Sequence, residues 1–221
     1  MNYLIHQLLN SDELEILRKN LDKEDLFWAD GKQTAGKHAA EVKNNLQLKR
    51  DVSLSKKFSG LIIKKILSTD LIKSFALPKK VHGTIFSKST FGMKYGRHID
   101  NAFMSSGRAD LSFTIFLNCK DNYDGGALLI ESFNSEEKFK LEAGEIIIYP
   151  STYLHSVEKV ISGERLVFVG WIESYVKSIE EREYLFDLDA AARSLLSKYG
   201  RSDEVDLIFK SYSNLLRRLG S

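Results

Sequence analysis

The sequence predicts a mainly β protein with flanking helices, an antiparallel sandwich or barrel that carries a helical hairpin at its C-terminal end. Three observations point there. Between Val81 and Glu173 short β-rich runs alternate with turn residues. Before residue 78 apolar residues recur at three- to four-residue spacing, and after residue 174 two more stripes of that spacing follow each other. The chain thus divides into a helical support region at 1–77, a core at 78–174 and a helical extension at 175–221.

Taken in order, Leu14, Leu17 and Leu21 form a short stripe behind Ser11 and Asp12, with Glu15 in the first turn, and read as a capped helix. Trp28 to Leu48 is rich in Gly, Ala and Asn without a clear period and reads as loop with a short strand. From Ser53 onward, Leu54, Phe58, Leu61, Ile62 and Ile66 share one face of a second helix. The β-rich runs follow: Val81 to Ser87, Phe91 to Tyr95, Leu111 to Asn118, Ala127 to Ser132, Glu137 to Leu141, Glu145 to Tyr149, His155 to Val160 and Arg165 to Glu173. Between them lie the turn signals Asp124-Gly125-Gly126, Asn134-Ser135, Ala143-Gly144, Pro150-Ser151 and Ser162-Gly163. Ser178 and Glu181 form a capping box for a helix through Leu185, Leu188, Ala192, Leu195 and Leu196, which Gly200 stops. A last helix carries Val205, Ile208, Phe209, Tyr212, Leu215, Leu216 and Leu219. The stripes of this pair either cover the barrel or contribute to a homodimer contact.

At 221 residues with 43% hydrophobic side chains, the chain can bury the core of one medium domain with an appendage. Its 32 basic and 30 acidic residues are spread without a long block of one sign, so the net +2 implies no nucleic-acid partner. The single cysteine, Cys119, lies in an apolar run; no disulfide framework exists, which fits a reducing compartment. Met1 to Leu9 lacks a basic start and enough apolar residues for a signal peptide, and no run approaches the roughly 18 apolar residues of a membrane span. The expectation is a cytoplasmic protein without a membrane partner.

Chemistry concentrates in His98-Ile99-Asp100 and the distant His155. Alternate residues of an extended strand point to one side, so His98 and Asp100 can close on one metal ion while Ile99 faces away. Two imidazoles and a carboxylate leave open coordination positions, the arrangement of a non-haem Fe(II) site that activates dioxygen. His6, His38 and His82 lack ligand-spaced companions and read as structural or surface residues. Arg165 opens a run, Leu166 to Trp171, that is apolar on both faces, so its guanidinium is buried and needs an anion. An internal Asp or Glu would serve, as would a dicarboxylic cosubstrate gripped by the planar fork; the metal triad favours the second.

With these residues in place the chain resembles the Fe(II)/2-oxoglutarate-dependent dioxygenases, and more narrowly the PKHD-type hydroxylases related to prolyl 4-hydroxylases. The resemblance rests on Asp30-Gly31, Thr34-Ala35-Gly36, Val42 to Gln47, Tyr95 to Met104, Leu111 to Asn118, Tyr123 to Gly126 and Gly163 to Val167, with a matching helical tail. It implies a double-stranded β-helix of the jelly-roll or cupin-like kind, with the Fe(II)/2-oxoglutarate core at 78–174. By the same resemblance His98, Asp100 and His155 are the iron ligands, Arg165 meets the distal carboxylate of 2-oxoglutarate, and Tyr95 faces the cosubstrate pocket. Ile115 stands near where some relatives place a second cosubstrate-binding tyrosine, so that contact is missing or supplied elsewhere. Asn44, Asn45 and Gln47 also match, either as strand-edge hydrogen-bonding residues or as substrate contacts.

The implied reaction hydroxylates a substrate with release of succinate and CO2, with L-ascorbate keeping the iron reduced. Asp100 favours hydroxylation, since related halogenases lack that carboxylate. The substrate, a small molecule or peptide, is open among a prolyl residue, a free amino acid and a siderophore-like molecule; Asn101 to Arg108 would rim the site, with Phe103 and Met104 for apolar contact. The rival readings are a cupin-like protein that binds or senses iron or 2-oxoglutarate without turnover, and a metal-dependent isomerase on the same barrel.

Overall fold

A computed structural model describes residues 3–34, 36–132 and 135–221; Ala35, Asn134 and the side chain of His38 lie outside the described residues. The N-terminal region supplies β1 (Leu4–Gln7), α1 (Ser11–Leu21), β2 (Trp28–Asp30), α2 (Lys37–Glu41), β3 (Lys43–Asn44), β4 (Leu46–Leu48), α3 (Ser53–Ser68) and α4 (Asp70–Ala76). Then come β5 (Pro78–Ser89), β6 (Lys94–His98), β7 (Phe103–Met104), β8 (Gly107–Arg108), β9 (Leu111–Phe116), β10 (Tyr123–Gly125), β11 (Leu128–Glu131) and β12 (Glu136–Phe139). The chain continues through β13 (Glu145–Pro150), β14 (Leu154–Val157), β15 (Val160–Gly163), β16 (Arg165–Ser174), α5 (Ile179–Tyr199) and α6 (Asp203–Leu219).

The strands form a jelly roll of two antiparallel sheets that stay open at their edges. A seven-stranded sheet runs β1-β13-β9-β16-β5-β4-β2, and a five-stranded sheet runs β12-β11-β14-β6-β3. Two-residue periodicity decides what each strand buries. On β13, Ile146 and Ile148 face the helices while Ile147 and Tyr149 face the second sheet. On β16, Leu166, Phe168 and Ile172 take the helix side and Val167 the inter-sheet side. Such strands are covered on both faces and carry near-continuous apolar runs. Phe168, fully buried between Phe86 and Phe113 at centroid distances of 4.6 and 6.1 Å, anchors the layer against α1, α3 and α4.

Several boundaries differ from the sequence reading. The cap of α1 lies earlier: Asn10 and Glu13 exchange side-chain and backbone hydrogen bonds at 2.9 and 2.8 Å, while Glu15 pairs with Lys19 on the surface. Trp28 to Leu48 holds three short strands and a helix rather than a loop with one strand, and α4 was not anticipated. Leu61, placed on the buried stripe of α3, is exposed; Phe58, Ile62 and Ile66 carry the burial. Phe91 and Gly92 form a turn, with Phe91 exposed, and the strand begins at Lys94. Asp124-Gly125 and Ser162-Gly163 are not simple turns: they pair with each other across β10 and β15, and the left-handed Gly125 marks a bulge there.

The C-terminal hairpin docks on the helical side. Ser178 caps α5 by accepting from the Glu181 backbone at 3.2 Å, and Leu77, Val176 and Leu185 pack with Tyr212, Leu216 and Leu219. Phe75 of α4 meets Phe186 edge-on at 5.8 Å. The expected buried stripe reaches only part of α5, since Leu195 and Leu196 are exposed. Arg108, at the end of β8, ties the short β7–β8 hairpin to the root of this extension: it donates to Asp110 and to the Ser174 carbonyl, both at 2.7 Å, and Asp110 accepts from Ser174 N at 2.8 Å. Among the described residues no helix is long and apolar enough to cross a membrane.

Candidate metal and cosubstrate site

β6 and β14 are neighbours in the smaller sheet, and their register sets His98 directly opposite His155. That pairing brings together residues 57 positions apart, with ring centroids 4.3 Å apart. Asp100 lies just beyond β6, and its Oδ2 is 3.7 Å from His155 Nε2. Ligand atoms of His98, Asp100 and His155 all fall within 4.8 Å of one another, so the three could hold one metal ion. Ile99 between them is exposed, as alternation requires.

The surrounding backbone fixes the tautomer of both rings. His98 Nδ1 lies 2.8 Å from the Gly96 carbonyl and His155 Nδ1 lies 3.1 Å from the Tyr153 carbonyl. A carbonyl only accepts, so Nδ1 carries the proton in each and Nε2 is left with its lone pair toward the triad. Burial, reinforced by the neighbouring His155, pushes His98 down to about 4, which keeps it in the neutral, ligating form near pH 7. Ser112 Oγ on β9 donates to Asp100 Oδ2 at 2.6 Å and lies 2.7 Å from Ser151 Oγ, fixing the carboxylate.

The triad opens onto a cavity of about 510 Å³ between the two sheets. Arg165, first residue of β16, shares the inward face with Val167 and reaches the same cavity. It is only 4% exposed, its Nε has no hydrogen-bond partner, and no carboxylate lies within ion-pair distance of it among the described residues. A guanidinium buried without an anion is costly, and an anion in the cavity would relieve that cost. Gly126 at φ +64° lets the chain pass closely here; a Cβ would meet the Arg165 Cδ at 3.2 Å.

Known proteins resemble the chain over its whole length. The 2OG-Fe(II) oxygenase superfamily matches residues 84–173 and the PKHD-type hydroxylase C-terminal domain matches residues 180–220. A PKHD-type hydroxylase of Prochlorococcus marinus strain MIT 9215 is 76% identical over 220 residues, covering all of both chains, and one of strain MIT 9312 is 71% identical over 221, again with full coverage. The chain belongs to the PKHD-type hydroxylases. It is a 2-oxoglutarate-dependent oxygenase of the hydroxylase kind, a family defined by Fe(II) and 2-oxoglutarate.

Solved structures with the same fold include a Pseudomonas putida prolyl-4-hydroxylase (TM-score 0.57, 17% identity, 78% of this chain and 92% of that one). Another is a Trichoplax adhaerens prolyl hydroxylase in complex with a hypoxia inducible factor peptide fragment (TM-score 0.58, 14% identity, 83% and 86%).

In this hydroxylase Tyr95 lines the cavity and stacks on His98 at a centroid distance of 3.6 Å and an angle of 17°. Ile115 points away into the helix-side core. A phenol reaches the cavity instead from Tyr149, which sequence reading treated only as a strand residue; burial first, then the nearby Asp100, holds its pKa well above 10, so it remains an O–H donor. Asn45 and Gln47 are buried on the wall, Asn45 donating to Ser87 Oγ at 2.7 Å and Gln47 accepting from Thr34 Oγ1, whereas Asn44 is exposed on a strand edge. Asn101, Phe103 and Met104 also line the cavity, with Phe103 exposed at its mouth. His82 bridges Ser106 Oγ and the Arg108 carbonyl, both at 2.8 Å, a structural role.

Sequence reading also missed Lys43. The residue is 6% exposed on the cavity wall, with Nζ 5.0 Å from the Tyr95 ring centre and 3.3 Å from Thr34 Oγ1.

Proposed function

We propose that His98, Asp100 and His155 hold Fe(II), that Arg165 pairs with the distal carboxylate of 2-oxoglutarate, and that the protein hydroxylates a small molecule or peptide in the cavity between the sheets. The buried guanidinium of Arg165, which faces the same cavity as the triad and has no carboxylate partner among the described residues, carries this reading. The metal with its chelated cosubstrate would supply the oxidative decarboxylation that yields succinate and CO2. The chain's own residues orient and protect that chemistry. Ser112 holds Asp100 in its ligating rotamer. The Gly96 and Tyr153 carbonyls aim the two imidazoles. Tyr149 and Tyr95 wall the cosubstrate space with apolar rings that exclude water, and the Tyr149 hydroxyl stands ready to donate. Under the same proposal residues 78–174 carry the reaction, 1–77 and 175–221 support it, the protein works in the cytoplasm, and ascorbate keeps its iron ferrous.

The test is succinate release. Purified protein given Fe(II), ascorbate and 2-oxoglutarate in air should form succinate above a metal-free control even without its true substrate, through uncoupled turnover. Candidate prolyl peptides, amino acids and siderophore-like molecules are then ranked by oxygen consumption over that rate. No succinate with any of them, in protein that has taken up Fe(II), would refute the proposal.

A further inference from the structure

We propose that this hydroxylase recognises its substrate through a compact anionic group, a carboxylate or phosphate, seated against Lys43 and Arg50 on the part of the cavity wall contributed by the N-terminal segment. The proposal rests on the iron and 2-oxoglutarate reading above and deepens it. Its first support is the burial of Lys43 on the two-residue edge strand β3, opposite Tyr95 of β6. Its ammonium lies 3.3 Å from the Thr34 hydroxyl, and no carboxylate lies within ion-pair distance of it among the described residues. A lysine has a long flexible stem and on an edge strand could reach water; holding its charge inside the cavity without an anion is unfavourable.

The second support is Arg50, which lines the same cavity. Its Nη2 donates to the Gly83 carbonyl at 3.0 Å, and it too lacks a carboxylate partner among the described residues. Third is the charge balance of the loaded site. Among the described residues that line the cavity, Asp100 is the one carboxylate. A ferrous ion and the Arg165 guanidinium together offset that carboxylate and the dianionic cosubstrate, so Asp100 is not left over to neutralise Lys43. Two cations then remain on the cavity wall, Lys43 beside Thr34 and Arg50 beside Gly83, near enough for their charges to act on each other. The Arg50 fork suits the two oxygens of a carboxylate or phosphate, and the Lys43 ammonium serves as a point charge beside it.

The experiment uses the full chain loaded with Mn(II) and 2-oxoglutarate, whose binding is first measured by calorimetry. Acetate and inorganic phosphate are then titrated separately at constant ionic strength, following the thermal unfolding midpoint. A saturable rise with at least one anion is expected, acetate pointing to a carboxylate substrate and phosphate to a phosphorylated one. In Lys43→Gln the half-saturating concentration should increase at least tenfold. In Arg50→Gln, at an exposed position that does not threaten folding, it should increase severalfold. The proposal is overturned if protein that binds 2-oxoglutarate responds to neither anion, or if both variants respond like the unaltered chain. Failure to bind 2-oxoglutarate at all would instead bring down the parent reading.

Discussion

His98 and His155 face each other across antiparallel strands, and each holds its Nδ1 against the carbonyl of the residue two positions before it, Gly96 and Tyr153. The sheet that pairs the strands also orients the rings. Replacing His98, Asp100 or His155 with Ala should therefore abolish turnover and drop bound Fe(II) below detection while leaving the fold intact. Iron stoichiometry after desalting, read beside far-ultraviolet circular dichroism, checks this; any one variant that keeps full activity removes that residue from the metal set.

Ser112 offers a subtler test. Its hydroxyl is the hydrogen-bond donor to Asp100 Oδ2, and loss of such a partner typically costs about 10–100-fold in metal affinity or activity. Ser112→Ala should weaken Fe(II) binding by that order without changing the KM for 2-oxoglutarate at saturating iron. An unchanged metal affinity would show that Asp100 needs no such support.

For Arg165→Ala the expected change lies in cosubstrate binding. Truncating one partner of a buried, hydrogen-bonded charge pair costs about 2–5 kcal/mol, equivalent to a rise of about 30-fold or more in the 2-oxoglutarate KM. Arg165→Lys should recover only part of the loss, because an ammonium cannot present two parallel N–H groups. A KM equal to that of the unaltered protein would give the arginine a purely structural role.

Lys43 yields a pH prediction. Burial, the largest influence, pulls its pKa from 10.5 down to about 8, with Arg50 acting in the same direction and Asp100 and Asp30 opposing. The unfolded chain therefore binds this proton more tightly than the folded one. Between about pH 8 and pH 10.5 stability of the metal-free protein should rise with pH from this group, and below pH 8 the full penalty, about 3 kcal/mol, is present. Lys43→Met should raise metal-free stability at pH 7 by up to that amount and flatten the rise. Urea midpoints at pH 7 and 9.5 measure both effects; a destabilised Lys43→Met protein with an unchanged pH slope would contradict the account.

Sequence periodicity was informative where an element is long and faces one environment. The continuous apolar run of β16, the stripes of α3 and α5 and the spacing of His98 and Asp100 could be read directly, because each follows from local backbone geometry and burial. What escaped depends on pairing between distant segments. Lys43 reaches the cavity only because β3 joins β6, and a two-residue strand has no periodicity to detect. Tyr149 turns inward because β13 is buried on both faces, so its run of apolar neighbours concealed which residue met the cavity. β1 and α4, at four and seven residues, are likewise too short to announce themselves and are held by the partners they pack on. Leu61 was misplaced because the apolar stripe of α3 is wider than the surface that covers it.

Arg108 belongs both to the small hairpin at the cavity mouth and, through Ser174, to the strand end from which the C-terminal helices extend. The two side chains that the hairpin sets beside the cavity, Phe103 and Met104, are thus braced by a few hydrogen bonds on a segment whose helices contribute no residue to the cavity lining.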